Sequence, residues 1–327
     1  MAKFRDSLGD PSVVEFAPPA AAAAASARAG NAATAPAAEP PFDHEALPET
    51  NERAIGDYLA ELRQLTPEQI ERVLEHQTRH GVRFGEAAVA LRYVSKDDVL
   101  YALAQQFRYP YAAEDDRRLG AELVALNDPF GARSEHFRTL RSQLMMRVFA
   151  EGETRRALAL VSPDAGDGRT YCASNLAVAL AQLGGRTLLV DADLRSPRVH
   201  DIFKMGNRTG LSGILSGRSD HKAIHQVAAV PSLFVLPAGT TPPNPLELVE
   251  RPAFGMLVRE LATKFDHVIV DTPAAAHGAD ASVIAARCSA AVIIARKDRS
   301  HFATLQELVA SFSGSAARLA GVVLNEH

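Results

Sequence analysis

Six short aliphatic runs, each separated from the next by a helical pattern, set the frame for this chain of 327 residues. They are Ala157–Val161, Thr187–Val190, Leu233–Leu236, His267–Val270, Ala291–Ile294 and Gly321–Leu324. Runs of four or five residues with almost no polar interruption suit strands covered on both faces. Their alternation with helices over residues 135–327 predicts an α/β domain with a doubly wound, mostly parallel sheet.

The first run leads into Ser162-Pro163-Asp164-Ala165-Gly166-Asp167-Gly168-Arg169-Thr170, and a helical run, Tyr171 to Leu183, follows at once. A glycine-rich turn between strand and helix presents unpaired backbone N–H groups at the positive end of the helix, which makes an anion cradle. Gly166 and Gly168 let the backbone approach phosphates without a Cβ. Thr170 stands where a P-loop places its magnesium-binding hydroxyl. A plain strand–helix turn also favours glycine, so the loop alone leaves two readings open. It departs from the P-loop pattern at Pro163, in the first glycine position, and at Arg169, in the lysine position. Arginine keeps the charge but carries it on a longer, planar head. It can bridge phosphates, or it can hold a nucleotide and catalyse poorly.

Two strand ends carry acids: Leu188-Leu189-Val190-Asp191-Ala192-Asp193 and Val268-Ile269-Val270-Asp271-Thr272. Acids at the carboxyl ends of parallel strands line the crevice where such sheets take ligands, and a magnesium–nucleotide complex needs hard oxygen donors there. Each Asp alone reads equally well as a helix cap. Loop and acids together, in this order, predict a nucleotide site.

Upstream of residue 135 the pattern changes. Residues 17–41 hold 14 Ala and 5 Pro. Proline blocks a continuous helix and alanine alone builds no core, so residues 1–50 are expected to be a disordered tail. Residues 51–113 contain a tandem repeat with an offset of 29. Ile55-Gly56, Leu59, Leu65, Ile70, Leu74 and Gln77 recur as Phe84-Gly85, Ala88, Val94, Val99, Leu103 and Gln106. Thr66-Pro67-Glu68-Gln69 and Ser95-Lys96-Asp97-Asp98 have the form of helix N-caps with a reciprocal group at N3. Each copy therefore reads as helix–turn–helix, and the pair as a small helical domain. Residues 114–134, polar and carrying Pro129 and Gly131, read as a linker.

Composition narrows the function. The net charge is −4, against the basic surface that a nucleic-acid coating protein needs, so no nucleic-acid partner is expected. Two cysteines, Cys172 and Cys288, exclude a disulfide scaffold and a four-Cys zinc site and fit a reducing compartment. The 11 histidines are read as showing no metal-ligand pairing with acids nearby. Residues 1–16 lack the apolar stretch of a signal peptide, and no apolar run is long enough to span a membrane, so a cytoplasmic protein is expected.

Residues 135–327 resemble the cytoplasmic domain of the bacterial tyrosine kinases of exopolysaccharide synthesis. The three motifs of that family read here Gly166-Asp167-Gly168-Arg169-Thr170, Leu189-Val190-Asp191-Ala192-Asp193 and Ile269-Val270-Asp271. Asp193-Leu194-Arg195-Ser196-Pro197-Arg198 is similar to the family's continuation of the second motif. So is Leu236-Pro237-Ala238-Gly239 with Pro242-Pro243-Asn244-Pro245 and Glu247-Leu248. Glu135-x-x-Arg138-x-x-Arg141 matches the element with which members assemble into rings, although such i, i+3 charges are common on any helix. The whole chain is most similar to soluble chain-length determinant kinases of the EpsG type, in which arginine at the lysine position recurs.

The resemblance implies an ATP-dependent, non-specific protein-tyrosine kinase acting in polysaccharide chain-length control. ATP would lie against Gly166, Asp167, Gly168, Arg169, Thr170 and Tyr171, with Asn325 at the base. Mg2+ would be held by Thr170, Asp191 and Asp271. Asp193 would orient or deprotonate the tyrosine, with Asp191 and Arg169 completing the catalytic set. The implied partners are further copies of the chain in a ring and a transmembrane chain-length determinant that holds the kinase at the inner membrane. The family's C-terminal tyrosine cluster is absent from residues up to His327, so the acceptor is expected on another protein or at Tyr93, Tyr101, Tyr109 or Tyr111.

A weakly catalytic ATP-binding scaffold is the competing reading, favoured by Arg169. A positioning ATPase of the MinD or ParA type is disfavoured by the lack of lysine in Ser162-Pro163-Asp164-Ala165. Residues 54–107 are similar to the N-terminal domain of type II secretion and pilus ATPases, whose repeat in some members binds cyclic di-GMP. Gly56, Gln77, Arg83, Gly85 and Gln106 would carry that binding. Ala54, Arg63 and Arg92 depart from the pattern, and protein docking is the alternative role.

Overall fold

The computed structural model describes residues 54–106, 119–150, 152, 154–218 and 223–326. The expected N-terminal tail, together with Tyr109 and Tyr111, lies outside them. The chain divides into two compact units, with the described residues 54–106 in one and 119–326 in the other.

The described part of the first unit is four helices: α1 (Ile55–Arg63), α2 (Pro67–His80), α3 (Phe84–Ala90) and α4 (Lys96–Gln106). The repeat is visible as α1–α2 and α3–α4. Thr66 Oγ1 accepts the Gln69 N–H at 3.3 Å while Gln69 Oε1 accepts the Thr66 N–H at 2.9 Å, a reciprocal cap that starts α2. Asp98 does the same for α4, its Oδ2 accepting the N–H and the hydroxyl of Ser95 at 2.7 and 2.8 Å. Leu59 and its repeat mate Ala88, and Val73 with its mate Ala102, form the core. The expected stripe through Leu74 is off by one position: Leu74 is 49% exposed and Val73 is buried. Gly56 and Gly85 serve packing. A Cβ on Gly85 would stand 2.7 Å from Val99 Cγ1, and one on Gly56 3.4 Å from the Phe84 ring. The spacing His76-x-x-x-His80 escaped the sequence reading. Those two rings stack on α2 with centroids 4.0 Å apart. Among the described residues no group of three or more His, Cys, Asp or Glu is placed to hold a metal.

Arg63 ties the copies together, its Nε and Nη2 donating to Asp98 at 2.9 and 2.8 Å. Burial pushes the Asp98 carboxyl up, but the bonds from Arg63 and Ser95 outweigh it and hold it below its ordinary value. A lowered folded pKa stabilises above the unfolded value of about 3.9, and that contribution disappears as pH falls through the folded one. The helical unit of the full chain is therefore expected to melt progressively earlier below about pH 4. Asp98→Asn should melt earlier at neutral pH and lose much of that acid dependence. Equal acid sensitivity in the two proteins, followed by calorimetry, would contradict the assignment.

The second unit opens with α5 (Val124–Asn127) and α6 (Ala132–Arg147) and continues as the alternation expected. β1 (Ala157–Val161), α7 (Arg169–Ala181), β2 (Thr187–Asp191), α8 (Val199–Ile202) and α9 (Leu211–Leu215) come first. β3 (His225–Val227), β4 (Val230–Leu236), α10 (Pro245–Glu250), α11 (Pro252–Lys264) and β5 (His267–Asp271) follow. α12 (Asp280–Cys288), β6 (Ser289–Arg296), α13 (Phe302–Phe312) and β7 (Arg318–Asn325) complete it. The sheet order is β3-β4-β2-β5-β1-β6-β7, parallel except for β3, an edge strand antiparallel to β4. Both faces are buried. Leu158, Leu160, Leu189 and Ile269 pack under α5, α6 and α7. Ala159, Val161, Leu188 and Val268 pack under α11, α12 and α13.

The expected linker is corrected over its described residues. Leu123, Ala125 and Leu126 are fully or nearly fully buried in the core of this unit. Asn175 of α7 accepts the Ala125 N–H at 2.9 Å and donates to the Glu122 carbonyl at 2.8 Å. Polar side chains from α7 thus satisfy the backbone of a short buried segment, which is why a polar stretch can enter a core.

Candidate active site

The parallel register brings the C-terminal ends of β1, β2 and β5 side by side, with Asp191 directly opposite Asp271. The turn after β1 enters α7 through Gly166 and Gly168, at φ +84° and +95°. Any Cβ on Gly168 would fall 2.1 Å from Asn325 Nδ2, so only glycine fits. The segment after β5 is stitched to this turn: the N–H groups of Ala275 and Ala276 donate to the carbonyls of Ser162 and Pro163 at 2.9 and 3.0 Å.

Asp191 is buried. Its Oδ1 accepts the Asp193 N–H at 3.2 Å and its Oδ2 the Val199 N–H at 3.1 Å. Burial and then the Asp271 charge raise its pKa well above the carboxylate range. Asp271 is buried too, and neither of its carboxylate oxygens has a hydrogen-bond partner of normal geometry among the described residues. Burial pushes it up to about 7, against the opposing pull of the nearby Thr170 hydroxyl and Arg169 guanidinium. Two desolvated carboxylates on neighbouring strands, one of them orphaned, form a site that a hard cation would relieve. The oxygen donor set of Asp191, Asp271 and Thr170 fits Mg2+.

Asp193 is buried as well, its Oδ1 accepting the N–H groups of Arg195 and Ser196 at 3.1 and 2.9 Å. Arg195 in turn forms a two-point pair with the buried Asp280, at 3.1 and 3.0 Å, a tie the sequence reading did not find. Arg169 does not reach out of the cradle. Its Nε donates to the Thr272 carbonyl at 2.9 Å, its Nη1 to the Asp164 carbonyl at 2.9 Å and to the Ser162 hydroxyl, and its Nη2 lies 4.0 Å from Asp193 Oδ2.

The side chains of three other expected ligand residues make contacts within the protein. The Asp167 carboxylate turns inward, with Oδ2 accepting the Asp164 N–H at 3.0 Å. The Tyr171 ring packs edge-on to Phe137 at 5.7 Å, leaving its backbone as the part at the cradle. Asn325 donates its amide to the Asp167 carbonyl at 2.9 Å and so braces the loop, the physical alternative to a contact with a base. Arg296 and Arg299 also reach the loop, at the carbonyls of Gly166 and Ala165. No motif spacing marks them. On α6, Glu135 is exposed and pairs with Arg138, while Arg141 donates to the Ala179 carbonyl at 2.9 Å. Tyr93 and Tyr101 are half-buried in the helical unit. Both thiols are buried, and burial and then Asp271 push Cys172 up to about 12, so it stays protonated.

A parallel sheet with a glycine-rich cradle at one strand end and buried acids at two others defines a P-loop nucleotide-binding domain. Residues 156–312 match the family model described as cellulose biosynthesis protein BcsQ. The tyrosine-protein kinase CpsD of Streptococcus agalactiae is 32% identical over 193 residues, covering 59% of this chain and 82% of its own. YwqD, a tyrosine-protein kinase of Bacillus subtilis, is 30% identical over 209 residues, covering 64% and 87%. The crystal structure of the chimerical protein CapA2B2 is 31% identical with a TM-score of 0.59, over 69% of this chain and 98% of that one. The kinase domain of the Escherichia coli tyrosine kinase ETK is 28% identical with a TM-score of 0.58, over 65% and 84%. The chain belongs to the family of bacterial tyrosine-protein kinases. Among the described residues no helix is long and apolar enough to cross a membrane.

Proposed function

We propose that the protein is a Mg-ATP-dependent protein-tyrosine kinase of polysaccharide synthesis. The observation that carries this reading is the buried Asp271 carboxylate, orphaned beside Asp191 under the N-terminus of α7. Bound Mg2+ supplies charge neutralisation for the transferring phosphoryl group. The N–H groups of residues 166–170 receive the phosphates, and Thr170, Asp191 and Asp271 hold the cation. The tyrosine oxygen attacks the γ-phosphorus, the bond to the ADP oxygen breaks, and the phenolic proton passes to Asp193 Oδ2, the oxygen not committed to backbone N–H groups.

Glu135, Arg138 and Arg141 assemble copies of the chain, with the exposed Glu135 offered to a neighbour. A transmembrane chain-length protein brings the kinase to the inner membrane. The helical unit docks that machinery, and cyclic di-GMP is its alternative ligand. A second reading, an ATP-binding scaffold with feeble turnover, is favoured by one observation: Arg169 spends its donors on protein acceptors.

Purified protein with labelled ATP and a tyrosine acceptor, the cytoplasmic tail of the membrane partner, tests both. Phosphotyrosine is expected, and Asp193→Asn should lower its rate by about 10²–10⁴-fold with Mg-ATP affinity kept. Bound but intact ATP selects the scaffold. No binding of Mg-ATP by folded protein removes both.

A further inference from the structure

The outer side of the phosphate loop is held by a set of donors that no motif contains. Arg296 Nη1 donates to the Gly166 carbonyl at 2.9 Å, Arg299 Nη2 to the Ala165 carbonyl at 3.3 Å and Asn325 Nδ2 to the Asp167 carbonyl at 2.9 Å. These are three consecutive carbonyls, and their donors all come from the ends of β6 and β7. In a trans peptide the C=O and the following N–H point in opposite directions. Carbonyls 165–167 turned towards β6 and β7 therefore turn N–H groups 166–168 the other way. That is the side of β5 and β2, where Asp271 and Asp191 stand. None of these three N–H groups makes a hydrogen bond of normal geometry among the described residues, the Asp167 N–H closing only a loose turn on the Asp164 carbonyl.

The backbone that carries the donors is itself tied down. The Arg296 N–H is accepted by Ser300 Oγ at 2.8 Å, and the Ser300 N–H by the Arg296 carbonyl at 2.9 Å. The Lys297 N–H donates to the Asn325 carbonyl at 2.8 Å, joining the two strand ends. Asp298, at φ +60°, turns the chain so that Arg299 returns to the loop. The Arg299 guanidinium lies close over Gly166, where a Cβ would stand 3.1 Å from its Nη1.

We infer that Arg296, Arg299 and Asn325 form a carbonyl clamp that fixes the orientation of the phosphate loop, so that its amides face a polyphosphate before the ligand arrives. They are positioning residues, acting through the peptide units of residues 165–168. Their ligand class is the phosphate chain itself, independent of the base. Two guanidinium charges behind the carbonyls also polarise those peptides and strengthen the amides as donors to an anion. The inference rests on the proposed nucleotide site and adds how that site is preorganised.

The test is calorimetry on the full chain, with Mg-ATP and with inorganic tripolyphosphate as separate probes. The double variant Arg296→Ala, Arg299→Ala is expected to weaken both by about tenfold or more, and by equal factors. Arg296→Lys, which keeps a charged donor of nearly the same reach towards the Gly166 carbonyl, should recover part of the loss. A purely structural role would lower the melting temperature yet leave both affinities untouched at a temperature where the variant is folded, and that result overturns the clamp. So does a loss confined to Mg-ATP, which would assign the arginines to the nucleoside. Should the double variant fail to fold, Arg299→Gln alone carries the same comparison with a smaller loss. Wild-type protein that binds neither probe defeats the nucleotide site itself. Wild type that binds both, beside a variant that binds equally well, defeats only the clamp.

Discussion

Arg169→Ala is expected to cost about 3–5 kcal/mol of folding stability in the protein without nucleotide. A residue whose work is confined to phosphates would leave the empty protein unchanged, so the size of this loss separates two roles. Arg169 is only 7% exposed, and its guanidinium bridges three chain segments: Thr272 after β5, Ser162 and Asp164 after β1, and Asp193 after β2. Alanine leaves the Thr272 carbonyl without that donor and the buried Asp193 carboxylate without its nearest cation. Removing one partner of a buried polar set is costly because the other partners stay desolvated. Arg169→Lys keeps a charge but loses the fork, and should cost about half as much. Its ammonium, on a flexible stem, can turn to a phosphate, so phosphotransfer by the lysine variant should be faster than wild type. Urea unfolding in chelator, together with the labelled-ATP assay, measures both. An alanine variant as stable as wild type would return Arg169 to a purely phosphate-facing role.

Much of the frame was legible because it is written in local pattern. Ala157–Val161 matches its strand residue for residue, and the other five strands contain the predicted runs, since a parallel strand covered on both faces has no polar residue to blur it. Asp191 and Asp271 were expected only at strand ends along one crevice, and the pairing of β2 with β5 is what sets them opposite each other; the reciprocal caps at Thr66 and Ser95 start helices where the sequence puts them. What failed was decided by distant partners. β3 is three residues long and exists only because β4 pairs with it. Residues 119–131 read as polar, yet Asn175 and Gln182, some fifty residues on, satisfy their backbone and admit them to the core. Asn325 lies next to the expected site, but the direction of its amide depends on where Asp167 turns its carbonyl. Arg296 and Arg299 reach the loop across more than 120 residues, so no spacing rule could flag them.

Asp271→Asn should reverse the order of stability between empty and loaded protein. In chelator the variant is expected to be more stable than wild type by about 1–3 kcal/mol. Wild type buries this carboxylate with no hydrogen-bond partner of normal geometry among the described residues, directly opposite a second buried acid, and the nearby Thr170 hydroxyl, Arg169 guanidinium and Thr272 backbone N–H offset its burial only in part. Asparagine has nearly the same shape, removes the charge and offers two N–H donors to Asp191. Functional sites often carry strain of this kind, which their ligand relieves and a neutral substitution releases. With Mg-ATP the comparison inverts. Ligand at about 100 times its Kd adds about 2.7 kcal/mol to a protein that binds it. The variant, lacking the charge that holds the cation, should gain little and transfer phosphate at least about 10²-fold more slowly. Melting temperatures in chelator and in Mg-ATP, for both proteins, give the four values required. A variant less stable than wild type in chelator would mean that Asp271 is held by its surroundings rather than awaiting a cation, and the metal assignment at the β5 end would fall with it.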